Sequence, residues 1–212
     1  MSFDILAPHY RWMEWLLAGG KLQRCRTAFL DAIPAPHDVL IYGEGNGRFL
    51  TALLQRFPNV RVTSVDASAA MIEKARQRLQ RHGLANAHVR FVHADALQWQ
   101  PSAAAFDLVV THFFLDCFRE DQLRDLIPKI AAAAKPRAPW LLGDFKAADS
   151  GLRHWRSRVI LAVMYLFFRR VTHLPAKYLT APDLLLTSSG FRLQQRRETD
   201  WGMLHSDVWV RE

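Results

Sequence analysis

Three glycines alternate directly behind an apolar run: Val39-Leu40-Ile41-Tyr42 leads into Gly43-Glu44-Gly45-Asn46-Gly47. A short apolar run bounded by glycine reads as a buried strand. Glycines in alternation allow the positive φ and the close backbone approach that a ligand-facing turn needs. A helical pattern follows from Arg48 to Arg56, so the free N–H groups of its first turn would face the same point. The spacing is not G-x-G-x-x-G, because Arg48 stands where the third glycine would fall, and this disfavours a dinucleotide site. Taken alone, the glycines also read as a tight turn without a ligand.

The rest of the chain repeats the alternation. VRVTSVD, HVRFVHA, FDLVVTHF and PWLLGDF read as strands, while AAMIEKARQRLQRHG, stopped by Gly83, and the stretch from Glu120 to Ala134 read as helices. Strands separated by helices require crossover connections and hence a mostly parallel sheet. APDLLLTSSGF then predicts a short helix ending near Gly190, and FRLQQRRE with SDVWVRE a closing antiparallel hairpin. The expected fold class is α/β: a mostly parallel seven-stranded sheet with a C-terminal antiparallel hairpin and helices on both faces. With 212 residues, 50% of them hydrophobic, the chain suits one domain. It divides into an N-terminal helical cap (1–36), a core (37–150), an inserted segment (151–180) and the closing helix and hairpin (181–212).

Composition excludes several classes. Cys25 and Cys117 are far apart in apolar surroundings, which fits neither a disulfide framework nor a metal site and predicts buried thiols. The N-terminus carries Asp4 and Glu14 and lacks a basic start, so a cytoplasmic location is expected. The net charge of +8 implies attraction to something anionic without naming it. The arginines of RQRLQRH and LQQRRE fit a solvated face, no RNA-binding module is recognisable, and no nucleic-acid partner is expected.

Two acids continue the ligand argument. Asp66 ends the second strand about twenty residues beyond the glycine turn, where a carboxylate can accept from both hydroxyls of a ribose; alone, it is equally a helix cap. Asp95, just past the third strand, can accept from an adenine amino group while the Ala96 N–H donates to the ring; its alternative is a solvated loop position. The progression GEGNGR, VDAS, HADALQW resembles, in order and spacing, the first three motifs of the class I S-adenosylmethionine-dependent methyltransferase superfamily. The resemblance covers about Asp38 to Phe145. It implies a Rossmann-like methyltransferase fold, with the cofactor's methionine part on Gly43, Gly45 and Gly47, its ribose on Asp66 beside Ala67, and its adenine on Asp95 and Ala96 against Met71. Many members carry an acid two positions before the first glycine, where this chain has Ile41; GEGNGR looks like the tellurite-resistance-type variant, which gives Glu44 part of that polar role. The leading FDILAPHYRWMEWLL is similar to the ubiquinone and menaquinone methyltransferases of the small-molecule branch, with Tyr10 at the position that helps cover the cofactor.

Methyl transfer needs alignment and exclusion of water, and a base only when the acceptor must lose a proton. His112, at the carboxyl end of the fourth strand, is the expected acceptor contact, with Asp116, Asp144, His9 and His173 as further candidates; a histidine lining the core is the other reading of His112. No Asn or Asp precedes a Pro-Pro-aromatic sequence after this strand, where the chain reads THFFLDCF, so the acceptor motif of DNA and adenine-specific enzymes is absent. In residues 153–173 an apolar run, VILAVMYLFF, lies between arginines. Too short to span a bilayer, it reads as a lid over an apolar substrate, an interfacial helix making peripheral membrane contact, or a buried helix. The sequence thus predicts a methyltransferase using S-adenosyl-L-methionine on a small, apolar or aromatic acceptor, with no metal. An NAD-dependent oxidoreductase, or a non-catalytic membrane-associated protein of the same fold, is the alternative.

Overall fold

The computed structural model describes residues 20–146 and 180–212. The N-terminal helical cap expected over residues 1–36 is therefore described only from Gly20, the N-cap of α1 (Lys21–Thr27). There follow β1 (Asp38–Tyr42), α2 (Arg48–Arg56), β2 (Arg61–Asp66), α3 (Ala69–Arg81), β3 (Val89–His93), β4 (Leu108–His112), α4 (Glu120–Ala133), β5 (Pro139–Phe145), α5 (Asp183–Ser188), β6 (Phe191–Thr199) and β7 (Leu204–Arg211).

The boundaries have local causes. Ser68 Oγ accepts the Met71 N–H at 3.1 Å and caps α3, which ends before Gly83 in the left-handed region at φ 71°. Glu120 and Asp121 occupy the first turn of α4, where acids complement the positive end of the helix dipole. The fourth strand is shorter than the pattern FDLVVTHF suggests. Phe113 adopts φ 53° and turns the chain out of the sheet directly after His112, while Phe106 contributes only an isolated bridge to Ala134.

The seven strands run in the order β3-β2-β1-β4-β5-β7-β6. β1 pairs in parallel with both β2 and β4, and β7 lies antiparallel between β5 and β6, which is the expected hairpin with its second strand inserted against the parallel sheet. Period-two alternation divides the core. Val39 and Ile41 pack with Phe49, Leu50, Leu53 and Leu54 of α2 on one face. Leu40 and Tyr42 pack with Leu123, Leu126, Ile127 and Ile130 of α4 on the other. Strand order reverses between β1 and β4, and at such a switch point the carboxyl ends of the strands leave a crevice.

Candidate cofactor and acceptor site

The glycine turn forms one wall of that crevice. Gly43, Gly45 and Gly47 have φ of 63°, 65° and 80°, where a side chain is strained. Packing fixes the turn from both ends: a Cβ on Gly43 would lie 2.4 Å from Phe114 Cδ2, and one on Gly47 2.9 Å from Ala75 Cα in α3. The Gly43 N–H donates to the Val65 carbonyl at 2.9 Å, and the Gly45 N–H to Asp66 Oδ2 at 3.1 Å. Asp66 Oδ1 accepts the Ser68 N–H at 2.9 Å, so capping α3 falls to Ser68 and the Asp66 carboxylate stays beside the turn. Arg78 Nε donates to the Asn46 carbonyl at 2.8 Å, pinning the turn to α3.

Glu44 serves the turn from below. Its Oε1 accepts the Leu50 N–H at 2.9 Å in the first turn of α2. Burial raises its carboxyl to about 7 against the opposing effects of that N–H and of the Arg26 charge. Arg26 itself, 7% exposed, reaches from α1 and holds its guanidinium 5.1 Å from the centroid of the Phe113 ring. Sequence reasoning passed over it, because Arg26 lies beside Arg24 in a stretch that also holds Lys21 and nothing local marks which of these cations turns inward.

Of the residues expected to hold an adenine, Asp95 and Ala96 lie just beyond β3, which pairs with β2, and Met71 lies in the first turn of α3. Met71 and Ala96 are buried, and the Ala67 carbonyl lies 3.2 Å from His93 Nε2. Asp95 is exposed, and its Oδ1 accepts the Leu97 N–H at 2.9 Å. Tyr10, His9, His173 and the 153–173 segment lie outside the described residues.

His112 sits on the face packed by α2. Its ring meets Phe49 edge-on at 4.6 Å, and burial, with the Arg26 charge adding, pushes it down to about 3, so it is neutral across the physiological range. Asp116 and Asp144 converge on the other face, at the ends of β4 and β5. The Asp116 N–H donates to Asp144 Oδ2 at 3.2 Å, and the residues are 9% and 3% exposed. Burial raises Asp116 to about 6; burial, joined by the Asp116 charge, raises Asp144 well above the carboxylate range. Both cysteines are free. Among the described residues no group of potential ligands could hold a metal, and no helix is long and apolar enough to cross a membrane.

Sheet order, switch point and glycine turn together define a Rossmann-like class I methyltransferase scaffold. Residues 39–137 match the family model described as Methyltransferase domain. The chain is 35% identical over 94 residues to the release factor glutamine methyltransferase of Chlorobaculum tepidum, covering 43% of this chain and 31% of that protein. It is 26% identical over 230 residues to the demethylmenaquinone methyltransferase of Deinococcus radiodurans, covering 98% and 89%. The solved structure of a mitomycin 7-O-methyltransferase superposes with a TM-score of 0.74 at 21% identity, over 100% of this chain and 61% of that one. Seven relatives matched at 32% to 39% identity are spanned by this chain over only 25% to 42% of their length.

Proposed function

We propose that the chain transfers the methyl group of S-adenosylmethionine to a small acceptor of apolar or aromatic character. The observation that carries this reading is the glycine turn at the β1/β4 switch point, with three positive-φ glycines and the Asp66 carboxylate tied to the Gly45 N–H across it. The cofactor supplies a methyl group activated on a sulfonium. In this reading Gly43, Gly45 and Gly47 let the backbone approach its amino-acid part, Asp66 beside Ala67 holds the ribose, and Asp95, Ala96 and Met71 hold the adenine. Glu44 keeps the turn in shape through its bond to the Leu50 N–H at the start of α2.

A small acceptor is favoured over a protein side chain because the alignment with the demethylmenaquinone enzyme runs through nearly the whole chain, whereas that with the release factor enzyme stops at 43% of it. The sequence THFFLDCF after β4, with no Asn-Pro-Pro-aromatic motif, argues separately against a nucleic-acid base as the acceptor. Calorimetric titration with S-adenosylmethionine, S-adenosylhomocysteine and NAD tests the class: binding of the two adenosyl ligands alone is expected, and binding of NAD alone would overturn it. Methyl transfer to a panel of quinols, phenols and small carboxylic acids, read as S-adenosylhomocysteine formed, then tests the acceptor.

A further inference from the structure

The end of the sheet opposite the glycine turn carries a cavity of its own. Val210 in β7 pairs with Pro139, the first residue of β5, and β5 runs seven residues from there to Phe145, so this end lies about 20 Å from the crevice. A cavity of about 490 Å³ opens there between β6, β7, the turn into β5 and the segment before β1. Its floor is apolar. Ile33 and Val208 are buried in the core on the α2 side, and Val210 packs against them from the same face of β7.

Two departures from regular backbone meet at the walls. Pro136 and Arg137 are the central residues of the turn into β5, which the Ala138 N–H closes by donating to the Lys135 carbonyl at 3.1 Å. Arg137 has φ 62°, a conformation that this place in a turn ordinarily gives to glycine. A long side chain is strained there, and strain of this kind is retained where the side chain has a role. On the facing wall the register of β6 shifts between Leu193 and Gln195, a bulge that leaves Gln194 as the extra residue on the cavity's edge.

The polar groups brought together by these irregularities have little to hold. Among the described residues neither the Arg137 guanidinium nor the Gln194 amide makes a hydrogen bond or ion pair. Arg192, opposite Val210 in the register, meets Glu212, the one acid on the wall, at 3.2 Å, with both side chains about two-thirds exposed. An ion pair so exposed is worth little in water and yields to a competing anion. Arg211 is engaged elsewhere, donating to the Ala131 and Ala134 carbonyls.

An apolar floor rimmed by guanidinium and amide donors suits a ligand with an apolar body and one carboxylate. A cation would face like charge from Arg137 and Arg192. We propose that this cavity is a second ligand site, for a small amphipathic carboxylate, with Arg137 and Gln194 on the carboxylate and Ile33, Val208 and Val210 under the apolar part. The site stands apart from the crevice and does not depend on the cofactor reading.

The test is calorimetric titration of the full chain with octanoate, and with acetate and octylammonium, which lack the apolar body and the negative charge respectively. Saturable binding of octanoate is expected, at least about tenfold tighter than either contrast and unchanged by saturating S-adenosylhomocysteine. Arg137→Gly should weaken it at least about tenfold without lowering the melting temperature, because the strain leaves with the side chain. Gln194→Glu, an exposed change of similar size, should weaken it by like charge. Absence of octanoate binding, equal binding of octylammonium, displacement by S-adenosylhomocysteine, or an affinity that neither substitution alters overturns the proposal.

Discussion

The Gly45 N–H donates to Asp66 Oδ2 across 3.1 Å, so the glycine turn and the acid at the end of the neighbouring strand form one unit. Asp66→Ala removes both the acceptor for ribose hydroxyls and the brace on the turn. S-adenosylhomocysteine affinity should fall by about 1–3 kcal/mol, the cost of leaving polar groups without a charged partner. Calorimetry measures it, and unchanged affinity would take Asp66 out of the site.

The turn's packing against α3 predicts an asymmetry between two glycines of similar conformation. Gly47 (φ 80°) and Gly83 (φ 71°) both lie in the left-handed region, but a Cβ on Gly47 meets the Ala75 backbone at 2.9 Å while one on Gly83 meets nothing within 4 Å. Gly83→Ala should cost about 1–2 kcal/mol from backbone strain alone. Gly47→Ala should cost about 2–4 kcal/mol, because helix backbone cannot yield as a side chain can. Denaturant unfolding compares them, and equal losses would contradict the packing.

What the sequence revealed, and what it concealed, follows from the range of each interaction. The strand-glycine-helix order, Asp66 and the final hairpin depend on local patterning, and each is found where that patterning places it. Arg26, the α2-directed Glu44 and the joined Asp116 and Asp144 depend on which strand ends become neighbours. That is set by the order β1-β4-β5, and no local period encodes it. His112 shows the limit within one strand: its position at the carboxyl end and the face it shares with Leu108 and Val110 follow from local alternation, but that Phe49 of α2 covers it depends on the crossover of the chain.

Away from the site, the hairpin carries an ion pair between the buried Asp207 and the partly exposed Arg196 whose loss should be costly. Arg196 grips Asp207 through Nε at 2.8 Å and through its second nitrogen at 2.6 Å. Burial alone would raise the Asp207 carboxyl, yet Arg196 and His205 hold it below its usual range. Arg196→Met leaves that carboxylate without its main counter-charge and should destabilise the fold by about 3–5 kcal/mol. Replacing both partners, Arg196→Met with Asp207→Leu, should recover much of the loss; a double variant no better than the single one would show that the Trp209 Nε1–H, which also donates to Asp207 at 3.2 Å, matters more than the charge.

His112 supplies a pH prediction with a definite sign. Its imidazole is held at about 3 in the fold, first by burial and then by Arg26, whereas an unfolded chain leaves it near the ordinary ~6.5. Above that value it is neutral in both states and its contribution to stability is fully present. As pH falls, the unfolded state binds the proton first, so stability is lost from about 6.5 down toward the folded value, amounting to about 2–3 kcal/mol at an acidity two pH units below the start. Asp116, raised to about 6, and Glu44, raised to about 7, act in the opposite direction and destabilise the fold as pH rises through those values. His112→Leu keeps an apolar group against Phe49 and removes the titration, so the variant's melting temperature should fall less than the parent's between pH 6.5 and 4.5. Parallel melting curves would mean that His112 is protonated within the fold.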